Sequence, residues 1–343
     1  MKAISLIQAK KPIFTELPNP KRPKKGWITI KVVAAGVCGS DLQKFSSGIL
    51  PRSYLKTEIL GHEFSGYAFA LGKGVINVKI GERVSVIPMI TCKKCDSCKK
   101  GYYERCKKLC SIGKSYPGGF AEFVNVPANN VRPLQGSMSF IDGALLDIVA
   151  VAVHAYHLIG SPNKKKVLIL GDGPVALLLT QLLTNFQNEV TVAGKHDNNL
   201  KIAKLFGAKV TSGHKLHKLA PNVYPYIFEA VGRTQSNTLN QAIRLIGFGG
   251  KICVLGVFEQ KYIAQLNIRN LFYKEANLMG SNSYGVFNGR NEYDEALYFV
   301  KNKIIEPQKL VTHTFCVEDF QKAISCIYNK SSSHAIKIIL TFA

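Results

Sequence analysis

The residues best suited to chemistry in this chain are a lone Cys38, in Gly36-Val37-Cys38-Gly39-Ser40-Asp41, and the pair His62-Glu63 that follows 24 residues later. Thiolate, imidazole and carboxylate are the donors of a zinc ion that keeps one position open for substrate. Cys38 and His62 are expected as the first two ligands. Glu63 is either a third ligand or a carboxylate immediately behind the ligands. Asp41, three residues beyond Cys38, could accept the second ring N–H of His62 and fix its tautomer. Ser40 is placed to hydrogen-bond a reacting hydroxyl and pass its proton onward. Taken singly, each residue has an ordinary explanation, since an isolated Cys commonly serves as a small core residue. The combination carries the reading.

A second cluster is more compact. Cys92, Cys95, Cys98 and Cys106 fall within fifteen residues, in the pattern Cys-x2-Cys-x2-Cys-x7-Cys. Four thiolates so spaced can enclose one zinc in a closed structural site that does no chemistry and folds a loop lacking its own core. An iron–sulfur motif also begins this way, but it places a fourth Cys where this chain has Tyr102. Cys110 lies outside the pattern and is expected to be a free thiol. Clustered cysteines of this kind fit metal binding in a reducing compartment better than a disulfide framework, so the expected location is cytoplasmic.

The third motif is Leu170-Gly171-Asp172-Gly173-Pro174-Val175-Ala176, which follows an apolar strand and opens a helix. In that context, glycines at 171 and 173 permit a tight turn and close approach of a pyrophosphate to a helix N-terminus, where Pro174 and Val175 begin the helix. An acid that holds the ribose hydroxyls of NAD is expected about 20 residues later. That place reads Val192-Ala193-Gly194-Lys195-His196 and has no acid. Lys195, with His196, could instead meet the 2′-phosphate of NADP, which is slightly favoured. The alternatives are that Lys195 is one surface lysine among many, or that Asp197 serves NAD.

These motifs need elements to hold them. The first 150 residues read as β-rich, with short runs such as Trp27–Val33 and Arg83–Ile87 bounded by Gly and Pro. An apolar helix from Ile141 to Leu158 leads out of this part. After Gly160-Ser161-Pro162, strands at 166–170, 189–193, 226–230 and 251–256 alternate with helices at 174–186, 199–206 and 236–246. Continuous apolar strands alternating with helices indicate a doubly wound parallel sheet. An amphipathic helix at 292–301 and a strand-like run at 335–340 close the chain, and the tail is expected to return to the first domain.

The run Gly61-His62-Glu63-Phe64-Ser65-Gly66 to Gly72 and Val75 matches the signature of zinc-containing alcohol dehydrogenases at all its fixed positions. The chain therefore resembles the medium-chain zinc-dependent alcohol and polyol dehydrogenases. The texture is similar to that of sugar-alcohol members, galactitol-1-phosphate 5-dehydrogenase in particular, through Cys-Gly-Ser-Asp-Leu at 38–42, Gly-Gly-Phe-Ala-Glu at 118–122 and Val153-His154-Ala155-Tyr156-His157-Leu158. The resemblance implies an α/β protein with a GroES-like β-rich catalytic domain (1–150 and 286–343), carrying a structural zinc lobe at about 90–110, and a Rossmann coenzyme domain (151–285). It implies two zinc ions per chain, NAD or NADP, and hydride transfer to or from a secondary alcohol. An NADP-dependent primary-alcohol or aldehyde reductase of the same family is the first alternative, and a non-enzymatic basic nucleic-acid-binding or scaffold protein is the second. Polyol members usually carry a Glu on the interdomain helix. Here the matching acid is Asp147, one methylene shorter and followed by Ile148 rather than Pro, and it is carried over as a ligand of the catalytic zinc. Relatives often place a His five residues after the Cys as a proton relay. This chain has Gln43, which does not titrate. A homodimer or homotetramer is also implied.

Bulk composition is ordinary for a packed soluble protein: 46% hydrophobic and 20% charged over 343 residues. No uninterrupted apolar run reaches the length of a membrane span, and the polar start after Met1 argues against a secretory signal. The net charge of +23 admits a nucleic-acid or membrane partner, or an anionic substrate. The lysines are spread thinly, however, without a single aromatic-interleaved stripe. They are read as a solvated surface, and neither a nucleic-acid nor a membrane partner is expected.

Overall fold

The computed structural model describes residues 1–6, 12–46, 58–259 and 261–342, with side chains omitted for 43–46. The chain divides into two compact units. The first comprises Met1–Ile148, Ala296–Lys301 and Glu306–Ala343, and the second Val149–Glu295 and Asn302–Ile305.

The first unit is built on a seven-stranded sheet. Its strands are β1 (Trp27–Gly36), β2 (Glu63–Leu71), β3 (Arg83–Val86), β4 (Phe123–Pro127) and β5 (Val131–Pro133), joined from the tail by β12 (Val311–Cys316) and β13 (Lys337–Thr341). The order is β12-β13-β1-β2-β3-β5, with β4 also paired to β1. All pairs are antiparallel except β12 with β13. Ile28, Ile30 and Val32 of β1 alternate into a core with Phe64, Ala68, Val84, Phe120 and Val124, as the period-two burial of a sheet face requires. The tail thus returns to the first unit through β13, whose Ile339 lies opposite Gly36.

The second unit carries a six-stranded, wholly parallel sheet, ordered β8-β7-β6-β9-β10-β11. These strands are β6 (Lys166–Leu170), β7 (Glu189–Gly194), β8 (Lys209–Ser212), β9 (Tyr224–Glu229), β10 (Ile246–Val254) and β11 (Asn277–Gly280). Val167 to Leu170 are all fully buried or nearly so, which a strand covered on both faces demands. Helices between these strands include α3 (Pro174–Asn185) after β6, α4 (Asp197–Leu205) after β7 and α5 (Asn237–Leu245) after β9. They are preceded in the chain by α1 (Gly39–Ser46) and α2 (Phe140–Leu158).

Two sequence expectations need adjusting. The second unit runs on to Glu295 rather than stopping at 285. Histidines of α2 hold the later segment there: His154 Nδ1 lies 2.8 Å from Glu292 Oε2, and His157 Nε2 lies 2.9 Å from Glu295 Oε2. The expected lack of a membrane-length helix is also too simple. By length and composition α2 could cross a membrane, but 67% of its most apolar window is buried inside the protein. Its Asp and His residues break the apolar run, so a search for uninterrupted runs passes over it.

Candidate active site and cofactor site

β1 and β2 pair so that Gly36 faces Glu63, and the chain leaves β1 through Cys38 into α1. That register brings residues far apart in sequence together. One donor atom each from Cys38, His62 and Glu63 lies within 4.8 Å of the others. This is close to the spacing that a single cation at about 2.0–2.3 Å from each donor spans. Asp41 is fully buried, and its Oδ2 accepts the Cys38 backbone N–H at 3.2 Å. Its other oxygen is 3.6 Å from His62 Nδ1, an ion-pair distance rather than a tight hydrogen bond. Burial opposes a charged His62. The Asp41 carboxylate and the Cys38 sulfur outweigh it and hold the imidazole pKa well above its ordinary value. Ligation through His62 would require its neutral form, so a cation at this site would compete with that proton. Ser40 Oγ donates to Cys38 Sγ at 3.4 Å.

Glu63 has a partner that the sequence reading missed. Its carboxylate forms an ion pair with the ammonium of Lys337 on β13, and both side chains are buried. Lys337 Nζ also donates to the Val37 carbonyl at 3.1 Å. Burial works against the charged lysine, but Glu63 and then Cys38 favour it, and its pKa is raised above the usual lysine value. Gly36 makes this pair possible. A Cβ there would collide with Glu63 Oε2 and come within 3.2 Å of Lys337 Cε. The available signal was a single Lys inside the apolar run Ala335-Ile336-Lys337-Ile338-Ile339-Leu340. A cation in a buried strand needs an anion nearby.

Asp147 is placed differently. It is buried on α2 but is not among the donors that gather with Cys38, His62 and Glu63. The Gln43 side chain lies outside the described residues.

The four clustered cysteines come together locally. The sulfurs of Cys92, Cys95, Cys98 and Cys106 all lie within 4.8 Å of one another, and Cys92 Sγ is 3.9 Å from Cys98 Sγ. Cys92 Sγ accepts the Cys95 N–H at 3.4 Å, and Cys106 Sγ accepts the Cys92 N–H at 3.3 Å. Backbone N–H groups of Lys94 and Cys95 lower the Cys92 thiol to about 6. Burial pushes Cys98 up to about 12. The loop is therefore arranged to carry thiolate charge, and the buried member needs a cation to release its proton. Cys110 stands outside this group as a free, half-buried thiol.

In the second unit, the turn Gly171-Asp172-Gly173 leaves β6 and enters α3. The Gly171 N–H donates to the Ala193 carbonyl at 2.8 Å, which holds the turn to the end of β7. Gly173 is the N-cap of α3, with Pro174 and Val175 in its first turn; no side chain caps the helix. A Cβ on Gly173 would meet nothing within 4 Å. Uncapped N–H groups beneath open space are what a pyrophosphate requires, so the chain fits a dinucleotide here. Ala176 is fully buried. At the end of β7, Gly194 is buried while Lys195 and His196 are exposed. Both of their backbone N–H groups donate to Asp172 Oδ2 at 2.7 Å, and His196 Nδ1 lies 3.0 Å from Asp172 Oδ1.

Comparison with known proteins agrees with this division. Residues 24–136 match the alcohol dehydrogenase GroES-like domain, and residues 174–302 match the zinc-binding dehydrogenase domain. Galactitol 1-phosphate 5-dehydrogenase of Escherichia coli K12 is 29% identical over 326 residues, covering 91% of this chain and 92% of that protein. The crystal structure of the Escherichia coli galactitol-1-phosphate dehydrogenase superposes with a TM-score of 0.87 at 28% identity, over the full length of both chains. An alcohol dehydrogenase from Escherichia coli CFT073, solved with NADH, gives a TM-score of 0.85 at 27% identity, covering 100% of this chain and 99% of that one. With a GroES-like unit bearing the Cys-His-Glu cluster and a Rossmann unit bearing an open glycine turn, the chain belongs to the medium-chain zinc-dependent alcohol and polyol dehydrogenases.

Proposed function

We propose that the protein transfers a hydride between a secondary alcohol, of the polyol, sugar-alcohol or sugar-alcohol phosphate class, and NAD or NADP. The convergence of Cys38, His62 and Glu63 carries this reading. Two zinc ions are part of it. One would be held by Cys38, His62 and Glu63, with Asp147 nearby or reaching through water, and the other by Cys92, Cys95, Cys98 and Cys106. At the first site zinc supplies Lewis acidity to an alcohol oxygen, while the nicotinamide accepts the hydride.

The chain's own residues do the rest. Asp41 sets the orientation of His62 and braces the Cys38 backbone. Lys337 neutralises Glu63, so that the cluster does not bury three unbalanced anions. Ser40, against Cys38, accepts the proton that leaves the substrate hydroxyl and hands it to water, because Gln43 cannot take it. The products are a ketone, the reduced cofactor and one proton. Lys195 and His196 would face a 2′-phosphate, while Asp172 would repel one. A positive surface suits a phosphorylated polyol, and assembly as a homodimer or homotetramer in the cytoplasm belongs to the same reading.

The test is turnover on a panel of polyols, polyol phosphates, simple secondary alcohols and aldehydes with each cofactor. Oxidation of at least one polyol or polyol phosphate, lost in Cys38→Ala, supports the proposal. Turnover confined to primary alcohols or aldehydes would replace it with the reductase reading, and turnover unaffected by Cys38→Ala would remove the metal mechanism.

A further inference from the structure

At the end of β7, where the sequence has no acid, a carboxylate from another part of the second unit lies alongside. Asp172 lies between the two glycines of the phosphate turn, yet its carboxylate sits beside Gly194. A Cβ on Gly194 would be 2.5 Å from both Cβ and Oδ2 of Asp172 and 2.7 Å from its Cγ. A side chain at 194 and the Asp172 carboxylate would therefore occupy the same space. Dinucleotide-binding folds commonly place their ribose-binding acid at this strand end. Here glycine stands at the strand end, and the neighbouring turn provides the carboxylate.

The carboxylate is fixed and buried. Asp172 is only 7% exposed. Its Oδ2 accepts the N–H groups of Lys195 and His196, its Oδ1 faces His196 Nδ1, and its own carbonyl accepts from Asn199 Nδ2 at 2.7 Å. Two consequences follow for a dinucleotide seated on this turn. The two N–H groups that would welcome a phosphate after β7 are already taken by an anion. The His196 ring faces the carboxylate, which leaves Lys195 as the remaining cation of the pair for a phosphate. A hydroxyl, in contrast, can donate to an accepting lone pair of a carboxylate.

We infer that Asp172 is a specificity-determining residue that selects NAD over NADP by accepting the ribose 2′-hydroxyl and repelling a 2′-phosphate. This rests on the dinucleotide-binding reading above and reverses the preference that Lys195 and His196 suggest in the sequence.

The test is equilibrium binding of NADH and NADPH to substrate-free protein, followed by cofactor fluorescence, with melting temperatures measured in parallel. The wild type should bind NADH about tenfold or more tightly than NADPH, and Asp172→Asn, which keeps the shape and loses the charge, should narrow that ratio by about tenfold. Moving the acid, in the double variant Asp172→Gly with Gly194→Asp, should restore the preference for NADH. Tighter NADPH binding by the wild type would overturn the inference, and so would an unchanged ratio in a folded Asp172→Asn protein. Should that variant not fold, the wild-type ratio and the double variant decide the matter. Binding of neither cofactor would remove the dehydrogenase reading itself.

Discussion

The two sulfur-bearing clusters of the first unit are assembled in opposite ways. Cys92, Cys95, Cys98 and Cys106 are four identical donors from one loop, and their hydrogen bonds come from that loop's own backbone. Cys38, His62 and Glu63 are three different donors from two stretches of the chain, the exit of β1 and the entry to β2, and each depends on a further group. Asp41 braces Cys38 and His62, while Lys337, which follows Glu63 by 274 positions in the sequence, neutralises the carboxylate. The first arrangement offers four donors, enough to enclose a cation completely. Among the described residues the second gathers three donors, which would leave a fourth position for a substrate oxygen. A closed site can be encoded locally, whereas an open site must be held by the surrounding fold.

The contrast can be broken most sharply at Cys38. Cys38→Ala should lower turnover by roughly a thousandfold or more, because several kcal/mol of Lewis-acid stabilisation are lost, while circular dichroism stays unchanged. Steady-state kinetics beside the spectrum check this. Cys98→Ser should act the other way round. The lobe should lose its metal, so zinc per chain falls by one, and the melting temperature should drop by several degrees, with turnover per folded, metal-replete active site largely kept. Calorimetry and elemental analysis of the same sample distinguish the two outcomes.

Long-range support is the next difference to probe. Lys337→Met leaves Glu63 buried without its cation and should cost about 3–5 kcal/mol of stability, readable as a shift in the denaturant midpoint. Lys337→Arg should recover part of that loss. Asp41→Asn should be milder. It keeps the shape but weakens the hold on His62, and zinc affinity at the mixed site should fall about 10–100-fold in chelator competition, with the four-cysteine lobe unaffected.

The same contrast explains what was legible in the sequence. The cysteine lobe could be read completely, because its four donors and their spacing lie in one short segment. Four of the six strands of the parallel sheet were legible for a similar reason, since Lys166–Leu170 is a continuous apolar strand with the glycine turn directly after it, whereas Lys209–Ser212 and Asn277–Gly280 lack such an apolar run. Lys337 was not, because its role depends on the register of β13 and β1 on either side of Gly36. Asp172 has no assignable role from its place between the two glycines of the motif; the packing of the turn against Gly194 shows its carboxylate at the strand end. Asp147 was carried over from the family pattern, and the shorter acid is not gathered with the other donors. In each of these cases the missing information was a tertiary contact, which neither spacing nor composition encodes.

The most direct test of the open and closed assignment is to replace zinc with cobalt(II) and titrate the protein with imidazole, following the visible absorption of the metal. The account predicts that bands from the Cys38 site shift on titration, that bands from the four-thiolate site stay in place, and that Cys38→Ala abolishes the response. A spectrum that imidazole leaves unchanged, or a response that survives in Cys38→Ala, would contradict it.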